Sequence, residues 1–159
     1  MIAQPFFHIR LLLLQHKMQG PALKSHDVDI CERIRHERRS GNTRCGVIEG
    51  KMTVVEAARA FGLADDVNYR SIGRAEADRI ATRVLSVDLA YDSQMMSASN
   101  AAELWRQFMA MFEGQDVALA SNAGTQSGSW TSATSATFDM GVLVLGVSKT
   151  GCLWVEDED

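Results

Sequence analysis

The final 22 residues, 138–159, constrain the fold more than any other stretch of this chain. An apolar run rich in β-branched residues, Val142-Leu143-Val144-Leu145-Gly146-Val147, leads into Ser148-Lys149-Thr150-Gly151 and then into a second apolar run, Cys152-Leu153-Trp154-Val155. Two such runs joined by a short polar turn that ends in Gly specify a β-hairpin. Gly151 suits the last turn position, where a left-handed backbone leaves no room for a Cβ. That register pairs Val147 with Cys152, Leu145 with Trp154 and Val144 with Val155. Residues 142–145 show no polar alternation, so both faces of their strand are expected to be covered.

Helices precede the hairpin. Thr53 and Glu56 form a capping box ahead of Val54, Val55, Ala57, Ala58 and Phe61, and Gly62 follows as a stop. A second helix is expected from Arg74 to about Leu85, with Ala77, Ile80, Ala81, Val84 and Leu85 on one face and Gly73 as a weak cap. A third is capped by Asn100 with Glu103, buries Ala101, Leu104, Trp105, Phe108, Met111 and Phe112, and stops at Gly114. Residues 87–92 alternate apolar and acidic in the manner of a half-exposed strand, yet they lack the Gly or Pro that would end a helix. Residues 117–120 read as a short strand. The fold class is α+β: about three helices packed on one face of a small, mainly antiparallel sheet of about four strands, ending in the hairpin.

Composition divides the chain near Met52. Residues 1–51 carry 9 Lys/Arg against 5 Asp/Glu and all four His, whereas residues 52–159 carry 7 against 15 and all three Trp. The expectation is an N-terminal basic extension, 1–51, with no requirement to be ordered, and a compact acidic domain, 52–159. The apolar run at residues 6–14 is broken by His8 and Arg10. It is shorter than the roughly 20 residues that span a bilayer, and no cleavage site follows it. Three cysteines at 31, 45 and 152 make an odd number without tight spacing, which favours a reducing, cytoplasmic location.

Few motifs carry chemistry. Cys31, His36, Cys45 and His26 lack the close ligand pair of structural zinc sites, so no metal and no cofactor is expected. Arg33, Arg35, Arg38 and Arg39 have the charge for nucleic-acid contact but no interleaved aromatics. Residues 53–63 are similar to the first helix and turn of a helix-turn-helix motif. The recognition helix that would follow, up to residue 71, opens with Ala64-Asp65-Asp66 and would set carboxylates against phosphates. Residues 52–159 contain no His, so no Ser-His or Cys-His pair forms within them. P-loop, G-x-S-x-G and G-x-G-x-x-G patterns are absent. Carboxylate pairs, Asp139 with residues 156–159 or Asp88 with Asp92, select no reaction.

The functional expectation is therefore a protein-binding or inhibitor protein of the immunity or antitoxin kind, without catalysis. Its contact residues would be Trp130, in the Gly/Ser/Thr-rich stretch 124–137, together with Asp139, Glu156, Asp157, Glu158 and Asp159. The acidic charge would steer it to a basic protein partner. The alternative is a nucleic-acid-binding regulator using residues 33–44 or 53–71.

Overall fold

The structure, a computed structural model, describes residues 25–159, with side chains from Ile30 onward. Its elements run α1 (Ser25–Glu37), β1 (Asn42–Glu49), α2 (Val54–Ala60), β2 (Arg70–Ile72), α3 (Arg74–Ser86), α4 (Ala98–Ala110), β3 (Val117–Ser121), β4 (Phe138–Gly146) and β5 (Lys149–Asp157). The strands form one antiparallel sheet in the order β1-β5-β4-β3-β2, with the β4-β5 hairpin at its centre. This is an α+β fold with four described helices and five strands.

Both faces of the hairpin are covered, as its uninterrupted apolar run requires. On one face Val142, Val144, Leu153 and Val155 meet Ile30 and Ile34 of α1, Ile80, Val84 and Leu85 of α3, and Leu104, Trp105 and Phe108 of α4. On the other, Leu143, Cys152 and Trp154 pack with Ala57 and Ala58 of α2, Leu63, and Ala133 from the loop before β4. The helices are thus split between two faces. The small α2 interface rests on two alanines, whereas the main core holds Ile34, Leu85, Leu104 and Phe108 at 0% exposure. Full burial stabilises each of these large side chains by about 1.5–3 kcal/mol.

The hairpin turns earlier than expected. Its loop is Val147-Ser148, and Leu145 pairs with Thr150, Leu143 with Cys152 and Gly141 with Trp154. Gly151 lies inside β5, where an added Cβ would come within 2.6 Å of Phe112 Cζ and 3.0 Å of Phe108 Cζ. It is glycine because two rings of the main core press on it. Gly141 serves the other face in the same way, since a Cβ there would sit 2.6 Å from the Trp154 ring.

The division at Met52 does not hold for residues 25–51. All eight residues of β1 pair with β5, from Asn42 opposite Glu156 to Glu49 opposite Lys149. Arg38, just after α1, forms an ion pair with Asp157 while both side chains are almost fully buried. Charge asymmetry suggested a boundary, but this segment supplies the edge strand that covers β5 and completes the sheet. Residues 1–24, including the apolar run at 6–14, lie outside the described residues. No described helix is long and apolar enough to cross a membrane.

The Thr53–Glu56 capping box is formed, with Thr53 N donating to Glu56 Oε2 at 2.8 Å. The N-cap of α4 is Ser97, whose hydroxyl accepts from Asn100 N at 3.1 Å, so this helix starts a turn before the Asn100–Glu103 pair. Residues 87–92 form neither helix nor strand. The Asp88 carboxylate accepts the amides of Ala90 and Tyr91 and folds them into a tight turn, with Asp92 left-handed at φ 54°. The segment after α2 is irregular until β2, so the second helix of a helix-turn-helix is absent among the described residues. Tyr69 anchors that segment through its hydroxyl, which donates to Ala64 O, and its edge meets Trp154.

Candidate functional site

The acidic residues expected to face a partner are mostly structural. Asp139 is 1% exposed. It accepts from Asn122 Nδ2 at 2.9 Å, Ala133 N at 3.0 Å, Thr134 N at 3.1 Å and Trp154 Nε1 at 3.2 Å. A buried carboxylate with this many donors is an internal organiser, here of the loop before β4. Asp157 receives Arg38 and also the Leu89 amide at 2.8 Å. Glu156 pairs with Arg44, whose guanidinium also caps the end of α2 at Phe61 O. Glu158 accepts Thr137 Oγ1 at 2.6 Å, and its hydrogen bonds to Thr137 hold its carboxyl below the ordinary range. Asp159 is exposed, with Thr137 Oγ1 3.3 Å away. No common acidic face results. Alternation along β5 had already separated these residues, because Glu156 and Asp157 point to opposite sides of a strand.

The arginine cluster disperses in the same way. Arg33 pairs with Glu37 at 2.7 Å. Arg35 donates to Cys45 O at 2.7 Å, closing α1 against the sheet edge. Arg38 is buried, and only Arg39 stands exposed without a recorded partner among the described residues. Arg33 and Arg35 are exposed as well but are already engaged, and one exposed cation without a partner makes no phosphate-binding stripe. Cys31 and Cys45, whose wide spacing favoured a reducing location on sequence grounds, form a disulfide between α1 and β1 with Cα atoms 5.2 Å apart. Their 14-residue separation concealed the pairing, which removes the cysteine-spacing basis for a reducing compartment. Among the described residues no three His, Cys, Asp or Glu come together as a metal site. Cys152 is fully enclosed, and burial pushes its thiol well above the usual range.

Trp130 does define a surface. Trp105 and Trp154 are 2% and 0% exposed, while Trp130 is half-buried at the mouth of a cleft. Its backbone bridges to Ala123, and its ring lies 5.4 Å from Phe138 at 39°. The cleft runs between α3 and the loop joining β3 to β4, in two adjoining lobes. One, of about 200 Å³, is lined by Leu89, Trp130, Phe138, Asp139 and Met140, with Arg83 and Asp92 also on its wall, so Trp130 and Asp139 share this lobe. The other, of about 280 Å³, lies between Glu76, Arg79 and Arg83 on α3 and the residues Gly124 to Ser129. Arg83, Gly128 and Met140 line both lobes.

The loop wall is held by its own backbone. Gly124 N donates to Ser129 O at 2.8 Å and Ser129 N to Gln126 O at 3.1 Å, with Gly128 left-handed at φ 76°. Gly124 has no room for a Cβ, which would fall on the Ser129 hydroxyl. Below it, Arg70 donates to Ala123 O at 3.2 Å and Gly124 O at 3.1 Å and pairs with Glu76. That ion pair holds the Glu76 carboxyl below its ordinary value. Tyr91 stands 67% exposed, on the turn that supplies Leu89 and Asp92 to the cleft.

Sequence reading found Trp130 and its polar loop but missed the helix wall. Arg79 and Arg83 are four apart on α3 and so share a face, a signal that was present. Only the pairing of β3 with both β2 and β4 brings that face to the loop. The chain matches no protein-family model, no curated protein and no solved structure.

Proposed function

We propose that this is a non-catalytic binding protein of the inhibitor or antitoxin kind that engages a protein partner through the Trp130 cleft. The observation that carries the reading is the placement of Trp130. One indole of three is left half-exposed, on a loop tied by its own hydrogen bonds and lining a cleft, with an exposed tyrosine on the turn that supplies Leu89 and Asp92 to that cleft. Pre-ordered aromatic side chains beside a concave, partly apolar surface are where binding energy concentrates in protein interfaces. The acidic tail contributes little to the contact, since its carboxylates serve internal bonds. Long-range steering comes instead from the excess of acidic residues over the whole chain, 20 against 16.

Site-specific photocrosslinking tests this. A photoreactive residue at Tyr91 should trap a partner in the native host. One at Val147, exposed at the opposite end of the hairpin, should not. Adducts from Val147 and none from Tyr91 would reject the reading.

A further inference from the structure

The two lobes of the cleft differ in chemistry, and together they describe a ligand. We infer that the cleft holds a small molecule joining a flat apolar ring to an anionic group, such as an aryl phosphate or a nucleoside monophosphate. This goes beyond protein binding but rests on the reading that the cleft is a recognition surface.

The ring lobe follows from Trp130 and Phe138, whose side chains wall a cavity of about 200 Å³ floored by Met140 and Leu89. An aromatic ring entering there gains apolar burial and offset stacking. The anion lobe follows from α3. Arg79 and Arg83 are both largely exposed, at 70% and 49%. Their charges sit one helical turn apart, a mildly destabilising arrangement that an anion between them relieves.

Neither guanidinium is used up. Arg79 reaches Glu76 only at 3.6 Å, and that carboxylate is already committed to Arg70. Arg83 makes a single bond to Asp92, at 3.0 Å. Each keeps most of its five donors for a phosphate or carboxylate. Opposite them, Thr125 and Ser127 line the cavity on a loop with Gly at 124 and 128, so small polar groups border the anion position. Arg83 lines both lobes, so it lies where ring and anion would join.

The test is isothermal titration calorimetry of the full chain with phenyl phosphate, phenol, inorganic phosphate and adenosine 5′-monophosphate. Trp130 fluorescence provides a second readout, since the other two indoles are buried. Phenyl phosphate is expected to bind saturably and at least about tenfold more tightly than phenol or phosphate alone, a gap worth one charge-assisted hydrogen bond. The double variant Arg79→Gln/Arg83→Gln, on an exposed helix face that leaves the fold intact, should erase that advantage. Adenosine 5′-monophosphate binding more tightly than phenyl phosphate would support a nucleotide as the natural source. No saturable heat or fluorescence change with either aryl ligand would overturn the inference. So would phenol binding as well as phenyl phosphate, or binding unchanged in the double variant. Tyr91 crosslinking of a protein partner together with any of those results would leave the binding-protein reading standing and remove only the ligand.

Discussion

The guanidinium of Arg38 lies on the carboxylate of Asp157, with Nη2–Oδ2 at 2.7 Å and Nη1–Oδ1 at 3.0 Å, across 119 residues of sequence. The same guanidinium donates to Val84 O and Val87 O, and the same carboxylate accepts the Leu89 amide. One ion pair therefore joins the end of α1, the end of α3 and the last strand. Removing either partner leaves a buried charge without its mate. Arg38→Met or Asp157→Asn should each cost about 3–5 kcal/mol in urea unfolding. The pair together should cost clearly less than the sum of the two singles, because they interact directly.

A chain beginning at Met52 should not fold on its own. It would lose β1, which covers the outer edge of β5, and the burial of Ile30, Ile34 and Val47 in the main core. Circular dichroism and amide NMR of residues 52–159 are expected to show an unfolded or aggregating chain. Sharp, dispersed spectra would show that α1 and β1 are dispensable.

The disulfide between Cys31 and Cys45 clips α1 to the edge strand. Closing a loop of this size stabilises by about 3 kcal/mol in the chain-entropy view. Reductant should therefore lower Tm, and Cys31→Ser/Cys45→Ser should reproduce the drop and no longer respond to reductant. Ellman titration should find no fast-reacting thiol in the native oxidised protein. It should find one, Cys152, after denaturation without reductant.

Stability should fall at both ends of the pH scale. At the acid end, the Arg106 and Gln107 hydrogen bonds depress Glu103 to about 2, and Glu37 and Glu76 are lowered by Asn100 and Arg70. A depressed carboxyl stabilises the fold above its ordinary value of 4.5, and that contribution is lost as pH falls towards 2. At the alkaline end, burial first and then Asp139 push Tyr69 up to about 12. Its contribution is complete below its ordinary value of 10 and is lost as pH rises from there to 12. Tyr69→Phe should flatten only the alkaline limb of a Tm-against-pH profile.

Gly151→Ala should destabilise by about 1–3 kcal/mol, the usual cost of overpacking. The new methyl would meet the Phe112 and Phe108 rings inside β5. A turn glycine would give a different pattern, with Asn tolerated at the same position. Thermal melts of Gly151→Ala and Gly151→Asn should both show large losses.

Much of the fold was legible because its signals are local. The Thr53–Glu56 box, the apolar faces of α3 and α4 and the strand pair 142–155 all depend on neighbours a few residues away. What stayed hidden depends on pairs far apart in sequence. Arg38 meets Asp157 only once β1 has paired with β5, and Cys31 meets Cys45 only once α1 has packed on β1, so residues 25–51 looked detachable. The hairpin glycine misled for a related reason, since Gly151 answers to Phe108 and Phe112 and not to its own turn. The site was half visible. Trp130 stood out as an indole among small polar residues, but the arginines facing it belong to a helix whose exposed face carries ordinary charge.

The central claim is that the Trp130 cleft is where this protein recognises its partner. Its most direct test measures capture of the partner crosslinked at Tyr91 by the wild-type chain and by Trp130→Ala at matched concentration. A hot-spot indole contributes about 2 kcal/mol or more, so the variant should hold the partner at least about tenfold more weakly at a temperature where both proteins are folded, its Tm being lowered by the lost packing of Trp130 on the core and Phe138. Equal capture by the two proteins would contradict the account.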